Sequence, residues 1–333
     1  MKGEGIIGAA DTVTKAYIRK NEVFADAFNY FMYDGRQKIQ PKQLRELDST
    51  EIAILLNEKD TKDKTNKEKE ASEQKMVQKY RDLLKTATIM EDGEATYVLL
   101  GIENQTEVHY AMPVRNMLYD AMQYNQQVTE IAEKHKGKKG GKRQQKISTG
   151  EFLSGFYKNN KLIPVITLVL FFNPGEWDGP RSLFDMLDIS NPIFKKYAQD
   201  YKIHIISPKE ILESDLKKFS SSLREVIGCI KYSNDKNKLA AFIQDNPRMN
   251  IEVEAARVLE VITHTHIKRE EVDDMGNVNM CKAIQEMIQD GRDEGRVQLL
   301  VTLIQSGDIS LQRAAALMNM TPEEFQEKSK MIS

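Results

Sequence analysis

Between Leu162 and Phe172 the chain runs for eleven residues with no side chain more polar than threonine, and this segment limits the fold more than any other. It falls well short of the roughly 20 apolar residues that a membrane-spanning helix needs. Its β-branched content instead marks a strand buried on both faces, as in a sheet covered by helices on either side. Asn173-Pro174-Gly175 ends it. A chain built around such a strand must supply apolar helix faces elsewhere. With 40% hydrophobic and 29% charged residues over 333 positions, this chain can do so. The length suits about two domains. Collagen-like, wholly disordered and disulfide-scaffold classes are excluded by composition. Two cysteines, Cys229 and Cys281, point to a reducing compartment without a structural disulfide, and the pair cannot build a cysteine zinc site. Met1-Lys2-Gly3-Glu4 has no long apolar run behind it. The expectation is a cytoplasmic protein with no secretory leader and no membrane partner.

Other elements follow from periodicity. Tyr17, Val23, Phe24, Ala27, Phe28 and Phe31 give one helix-like apolar face, capped near Asp11 or Thr12 and stopped at Asp34-Gly35. Leu44 to Leu55 suggests a short strand or two. Arg81–Met90 and Ala95–Gln105, joined by Glu91-Asp92-Gly93, predict a hairpin. Pro113 opens a helix over Val114–Ile131. Tyr201–Ile206 predicts another strand, and everything from Lys209 onward is helical and increasingly polar. The fold class is therefore α/β with an all-helical C-terminal region: residues 1–208 as the sheet-containing core, 209–290 as a helical region, and 291–333 as a small helical tail.

Charge adds two segments. Asn57 to Lys75 holds six lysines against six acids and reads as an exposed insertion. Lys134 to Lys146 holds seven Lys/Arg and no acid in thirteen residues. It is either a solvated linker or a contact to phosphate backbone through Lys138, Lys139, Lys142 and Arg143. The net charge of −2 excludes a protein that binds nucleic acid through overall basicity alone.

Strand alternation puts Glu103 and Gln105 on one face of the second hairpin strand and Asn104 on the other. The hairpin returns Asp82, at the start of the first strand, beside Glu103. Two carboxylates held together need a cation between them, and magnesium, which takes one or two carboxylates and completes its shell with water and phosphate oxygens, suits the pair. The competing reading is two strand-end surface acids. Lys85, three residues from Asp82, points to the opposite face. On the next helix Arg115, Tyr119 and Gln123 form an i, i+4, i+8 line: Arg115 either grips a phosphate or pairs with an acid, and Tyr119 either joins it or packs. His109 is a lone loop histidine, Trp177 packs, and His264-Thr265-His266 lacks a partner cluster for a metal site.

Several motifs in order carry a resemblance. Arg81-Asp82-Leu83-Leu84-Lys85, Leu99-Leu100-Gly101-Ile102-Glu103-Asn104-Gln105-Thr106 and Met112-Pro113-Val114-Arg115-Asn116-Met117-Leu118-Tyr119 resemble the recombination-promoting nuclease (Rpn) family, also called YhgA-like putative transposases. This is a branch of the PD-(D/E)xK nuclease superfamily. Ile163-Pro164-Val165 through Leu170 with Trp177, and Gly291-Arg292-Asp293-Glu294-Gly295-Arg296, resemble two further family features. The resemblance implies a PD-(D/E)xK restriction-endonuclease-like core and a metal-dependent DNA endonuclease active on phosphodiester bonds, associated with recombination or mobile elements. By position, Asp82 and Glu103 would hold Mg2+, or another divalent ion such as Ca2+ or Mn2+. Gln105 stands where most of the superfamily has lysine, and would orient the attacking water. Asp26, in Phe24-Ala25-Asp26-Ala27-Phe28-Asn29, resembles an acid of the first helix that assists the metal. A glutamine supplies no positive charge to the phosphate, so the alternative is a decayed nuclease serving as a nucleic-acid-binding or protein-interaction module.

At the far C-terminus Ser310 and Thr321 are expected helix caps, the second with Glu324 in a capping box. The spacing resembles a helix-turn-helix. Three glutamates against two lysines in the would-be recognition helix favour instead a small helical module that either packs or joins copies of the chain into a homo-oligomer.

Overall fold

A computed structural model describes residues 4–47, 82–91, 94–137, 147–244, 246–263 and 272–332. The charged insertion 57–75, His264-Thr265-His266 and the basic residues Lys138, Lys139, Lys142 and Arg143 lie outside these. In chain order the elements are α1 (Glu4–Ile18), α2 (Asn21–Tyr33), β1 (Arg45–Glu46), β2 (Leu83–Glu91), β3 (Glu94–Gln105), α3 (Met112–Gly137), α4 (Thr149–Ser154), β4 (Val165–Phe171) and β5 (His204–Ile206). There follow α5 (Leu223–Tyr232), α6 (Lys236–Ile243), β6 (Asn250–Glu252), α7 (Val253–Thr263), β7 (Asn277–Asn279), α8 (Met280–Gln305), α9 (Leu311–Leu317) and α10 (Pro322–Ile332).

The fold is α/β. A five-stranded mixed sheet runs β1-β2-β3-β4-β5, with β1, β2 and β3 antiparallel and β3, β4 and β5 parallel. The apolar run of the sequence supplies β4, near the centre, and both its faces are covered. Val169 and Phe171 pack with Met112 of α3, whereas Leu168 and Leu170 join the larger core on the other face. Alternation sorts β2 in the same way: Leu83, Ala87 and Ile89 enter the larger core, and Leu84 meets Leu99, Val165 and Tyr124 beneath α3.

Two helices stand where periodicity suggests one. The cause is Lys85, buried on β2, whose ammonium donates to the Arg19 carbonyl (2.5 Å) and to Asn21 Oδ1 (2.6 Å). A cation at the C-terminal carbonyls of a helix is favourable, and here it closes α1 and tethers the start of α2. Lys20 between them is extended. After α2, Asn29 clasps the chain: its side chain accepts from Ile39 N–H (2.8 Å) and donates to Ile39 carbonyl (2.9 Å). Gly35 sits at φ +83°, and a Cβ there would meet Lys218 at 2.7 Å, so both conformation and space require glycine.

Beyond residue 208 the chain is not all-helical as expected, since β6 and β7 pair antiparallel, and the larger core continues through that position without a break. Tyr17, Phe24 and Phe28 share it with Leu223, Val226, Ile230, Ala255 and Leu259. The polar anchor of this union is Asp26. Its carboxylate, 1% exposed, accepts from the backbone N–H and hydroxyl of both Ser220 and Ser221, at 2.7–3.0 Å. It thereby ties α2 to the lead-in of α5. Arg248 reinforces the same turn, donating to the Ser221 carbonyl (2.9 Å) and to buried Glu225 (2.9 Å). The tail has its own apolar cluster, in which Val297 and Leu300 of α8 pack with Ala314, Ala315 and Phe325. Ser310 caps α9, and Thr321 with Glu324 forms the reciprocal pair at α10. No helix among the described residues is long and apolar enough to cross a membrane.

Removing the Asp26 carboxylate takes the acceptor from the Ser220 and Ser221 N–H groups and hydroxyls. Asp26→Ala is expected to lower stability by about 2–4 kcal/mol in urea unfolding, with divalent-ion affinity unchanged. A loss of ion affinity at unchanged stability would return Asp26 to the metal-ligand role its position in the sequence suggests.

Candidate active site

The hairpin register pairs Leu83 with Ile102, and one step further it sets Asp82 opposite Glu103. Gln105 closes β3 beside Phe171, the last residue of β4. The strand start and two strand ends therefore meet at one end of the sheet, where a rigid backbone holds polar groups next to the loops that follow β3 and β4. Those loops join each other. Tyr110 donates to the Asp178 carboxylate (3.1 Å), Asn173 Nδ2 to the Thr106 carbonyl (2.7 Å), and buried Trp177 stands edge-on to Phe171.

Asp82 and Glu103 each meet a cation from a different helix. Asp82 Oδ2 accepts from Asn104 N–H (2.9 Å), and Asp82 Oδ1 lies 2.9 Å from the Lys15 ammonium. Lys15 reaches it from α1 while also donating to Asp11 Oδ2, 2.7 Å away and one turn earlier. Partial burial disfavours the Lys15 charge, but its hydrogen bonds to Asp11 and Asp82 outweigh this and raise its pKa. The neighbouring Thr14 and Asn104, both buried, fix α1 to β3 by a hydrogen bond of 2.5 Å.

Glu103 is wholly buried, and Arg115 Nη2 stands 3.1 Å from its Oε2. Arg115 Nε donates to the Tyr119 hydroxyl at 3.2 Å, and the guanidinium lies 5.6 Å from the Tyr119 ring centre. Of the two readings open for this helix, Arg115 pairs with an acid and Tyr119 packs, 5% exposed, while bracing it. Burial raises the Tyr119 pKa, and the charges of Glu103 and Asp82 add to that rise. Asp82 and Glu103 both act on Arg115 as well, as their register requires. One turn on, Asp120 accepts from Thr167 of β4 (2.6 Å) and from Tyr201 (2.6 Å), which sets the height of α3 on the sheet.

Asp82, Glu103, Gln105, Arg115 and Tyr119 thus gather at one end of the hairpin. Asp26 is not brought to them, since its oxygens serve the Ser220-Ser221 turn. Lys85 lies on the opposite face, as alternation requires. Among the described residues no group of three or more His, Cys, Asp or Glu side chains is disposed to hold an ion. The two acids, Asp82 and Glu103, stand opposite each other at this end of the hairpin and are too few for an all-protein cage. Sequence reading missed Lys15 and Asp11. Their i, i+4 spacing was visible, but nothing local showed that α1 passes the strand ends. It also missed Asn116, wholly buried, whose amide has no hydrogen-bond partner among the described residues. The chain matches no protein-family model, no curated protein and no solved structure.

Arg115→Met should cost about 3–5 kcal/mol, because Glu103 remains buried without its cation. Glu103→Gln on that background should recover a large part of the loss. A double-mutant cycle in urea therefore returns a coupling of at least about 1.5 kcal/mol, and additive single losses would show that the pair is not an energetic unit.

Proposed function

We propose that the sheet and its flanking helices are a PD-(D/E)xK nuclease core and that the chain is a divalent-metal-dependent DNA endonuclease of the Rpn type. The observation that carries this reading is the juxtaposition of Asp82 and Glu103 at the open end of a hairpin with one cation from each flanking helix beside them. Carboxylates of this disposition suit a metal, and cations beside them suit a phosphate. Asp82 and Glu103 would hold the ion, which supplies Lewis-acid polarisation of the phosphate and a more acidic bound water. Gln105 orients the attacking water by a neutral hydrogen bond. Lys15 brings next to Asp82 the positive charge that Gln105 lacks. Arg115 pairs with Glu103 in its buried position. DNA backbone contact is assigned to Lys138, Lys139, Lys142 and Arg143, and self-association to the C-terminal helices.

The second reading, a nuclease fold that binds nucleic acid or protein without cutting, is favoured by one feature. Each carboxylate already has an internal cation, so both charges are satisfied within the chain.

Supercoiled plasmid incubated with the protein and Mg2+ or Mn2+ should be nicked and linearised. Asp82→Asn and Glu103→Gln should each lower the rate by at least about 100-fold with circular dichroism unchanged. DNA retained in a gel shift but left intact with Mg2+, Mn2+ and Ca2+ would establish the second reading instead. Replacing Lys138, Lys139, Lys142 and Arg143 with glutamine should flatten the salt dependence of binding, by about 0.9 in log–log slope per lost phosphate contact. An unchanged slope would make that run a solvated linker.

A further inference from the structure

Both oxygens of Asp82 already have a partner in this arrangement. The Asn104 N–H takes Oδ2, Lys15 takes Oδ1, and its side chain is only 9% exposed. An ion that binds through Asp82 therefore meets the Lys15 ammonium already on the carboxylate. Lys15 has a second acceptor in Asp11, one helical turn away, and both of those side chains are about two-fifths exposed. The ammonium can leave Asp82 without losing every ionic partner, because the Asp11 bond is intrahelical and moves with it. A shift of the backbone beneath is opposed by the hydrogen bond from Asn104 to Thr14, which ties α1 to the strand at the adjoining residue.

We propose that Lys15 is a built-in competitor of the divalent ion: it occupies Asp82 when the metal is absent, and is drawn back to Asp11 when the metal binds. The inference rests on the metal-site reading above and adds regulation to it. The site opens only above an ion concentration that Lys15 sets, and Asp11 determines how readily Lys15 yields. The displaced ammonium stays within one side-chain length of the site, as a cation for an incoming phosphate.

The roles of Lys15 and Asp11 carry opposite signs, which a merely structural role would not produce. Lys15→Gln removes the competitor and should tighten binding by roughly tenfold, the worth of one contact between charges at a partly exposed site. Lys15→Arg keeps the charge and should stay near the wild-type affinity. Asp11→Asn leaves Lys15 with Asp82 as its single carboxylate partner of the two, and should weaken binding several-fold. That weakening should shrink when Asp11→Asn is combined with Lys15→Gln.

The measurement is calorimetric titration of Mn2+ alone into the full chain and these four variants, with circular dichroism to confirm folding. Tighter binding by Lys15→Gln together with weaker binding by Asp11→Asn supports the proposal. So does ion binding that appears in Lys15→Gln where the wild-type chain shows none. Wild-type binding with Lys15→Gln equal or weaker overturns the competition and leaves the metal site standing. No binding in any folded variant overturns the metal site and the competition with it.

Discussion

A carboxylate with no exposure to water is the constraint around which this end of the molecule is arranged. Glu103 lies inside the sheet–helix layer, where an uncompensated charge costs several kcal/mol. Arg115 answers that cost, and it can do so only if α3 lies at one height and one rotation over β3 and β4. Tyr119 and Asp120, on the next turn, secure both. Tyr119 braces the guanidinium, while Asp120 is held by Thr167 from the sheet and Tyr201 from the loop before β5. Helix α3 is thus positioned by a buried polar line as well as by its apolar contacts through Met112 and Tyr124. Apolar packing tolerates a slide of an ångström or so. A line of charge-assisted bonds tolerates much less.

The opposite layer is registered by the same device. Lys85 ends α1 from below, Thr14 bonds Asn104, and Lys15 reaches around the strand end to Asp82. Behind α2, Asp26 fastens the helices that follow the sheet. The candidate site lies where the two layers meet, with Glu103 answered from one side and Asp82 from the other. This explains how a pair of like charges can stand opposite each other on a hairpin without forcing it apart. Each is neutralised by a different layer.

Much of this was legible in the sequence because it depends on local pattern. The apolar run gave β4, the Gly-containing turn gave the β2–β3 hairpin, and period-two alternation placed Glu103 with Gln105 and sent Lys85 to the other side. The helix caps at the C-terminus are likewise local. What could not be read depends on partners far along the chain. The break between α1 and α2 is made by Lys85, more than sixty residues away, and no residue near Arg19 announces it. Asp26 looks like a site acid because it is a carboxylate on an apolar helix face. Its use is set by two serines 194 and 195 residues downstream. Lys15 was invisible as a site residue for the same reason, since only the assembled sheet shows which strand end α1 crosses.

The placement of positive charge gives the neutral Gln105 a physical meaning. A lysine at that position would be fixed by the strand on which the acids also sit, so its charge would stay beside them. In this chain the nearby cations come from helices. Arg115 is held on two edges by Glu103 and Tyr119, and so keeps its place. Lys15 shares itself between two carboxylates at the end of a long flexible side chain. Moving the charge from strand to helix places it on a side chain shared between two carboxylates. Both acids are thus paired with cations borne on helices, Glu103 with a braced one and Asp82 with a shared one.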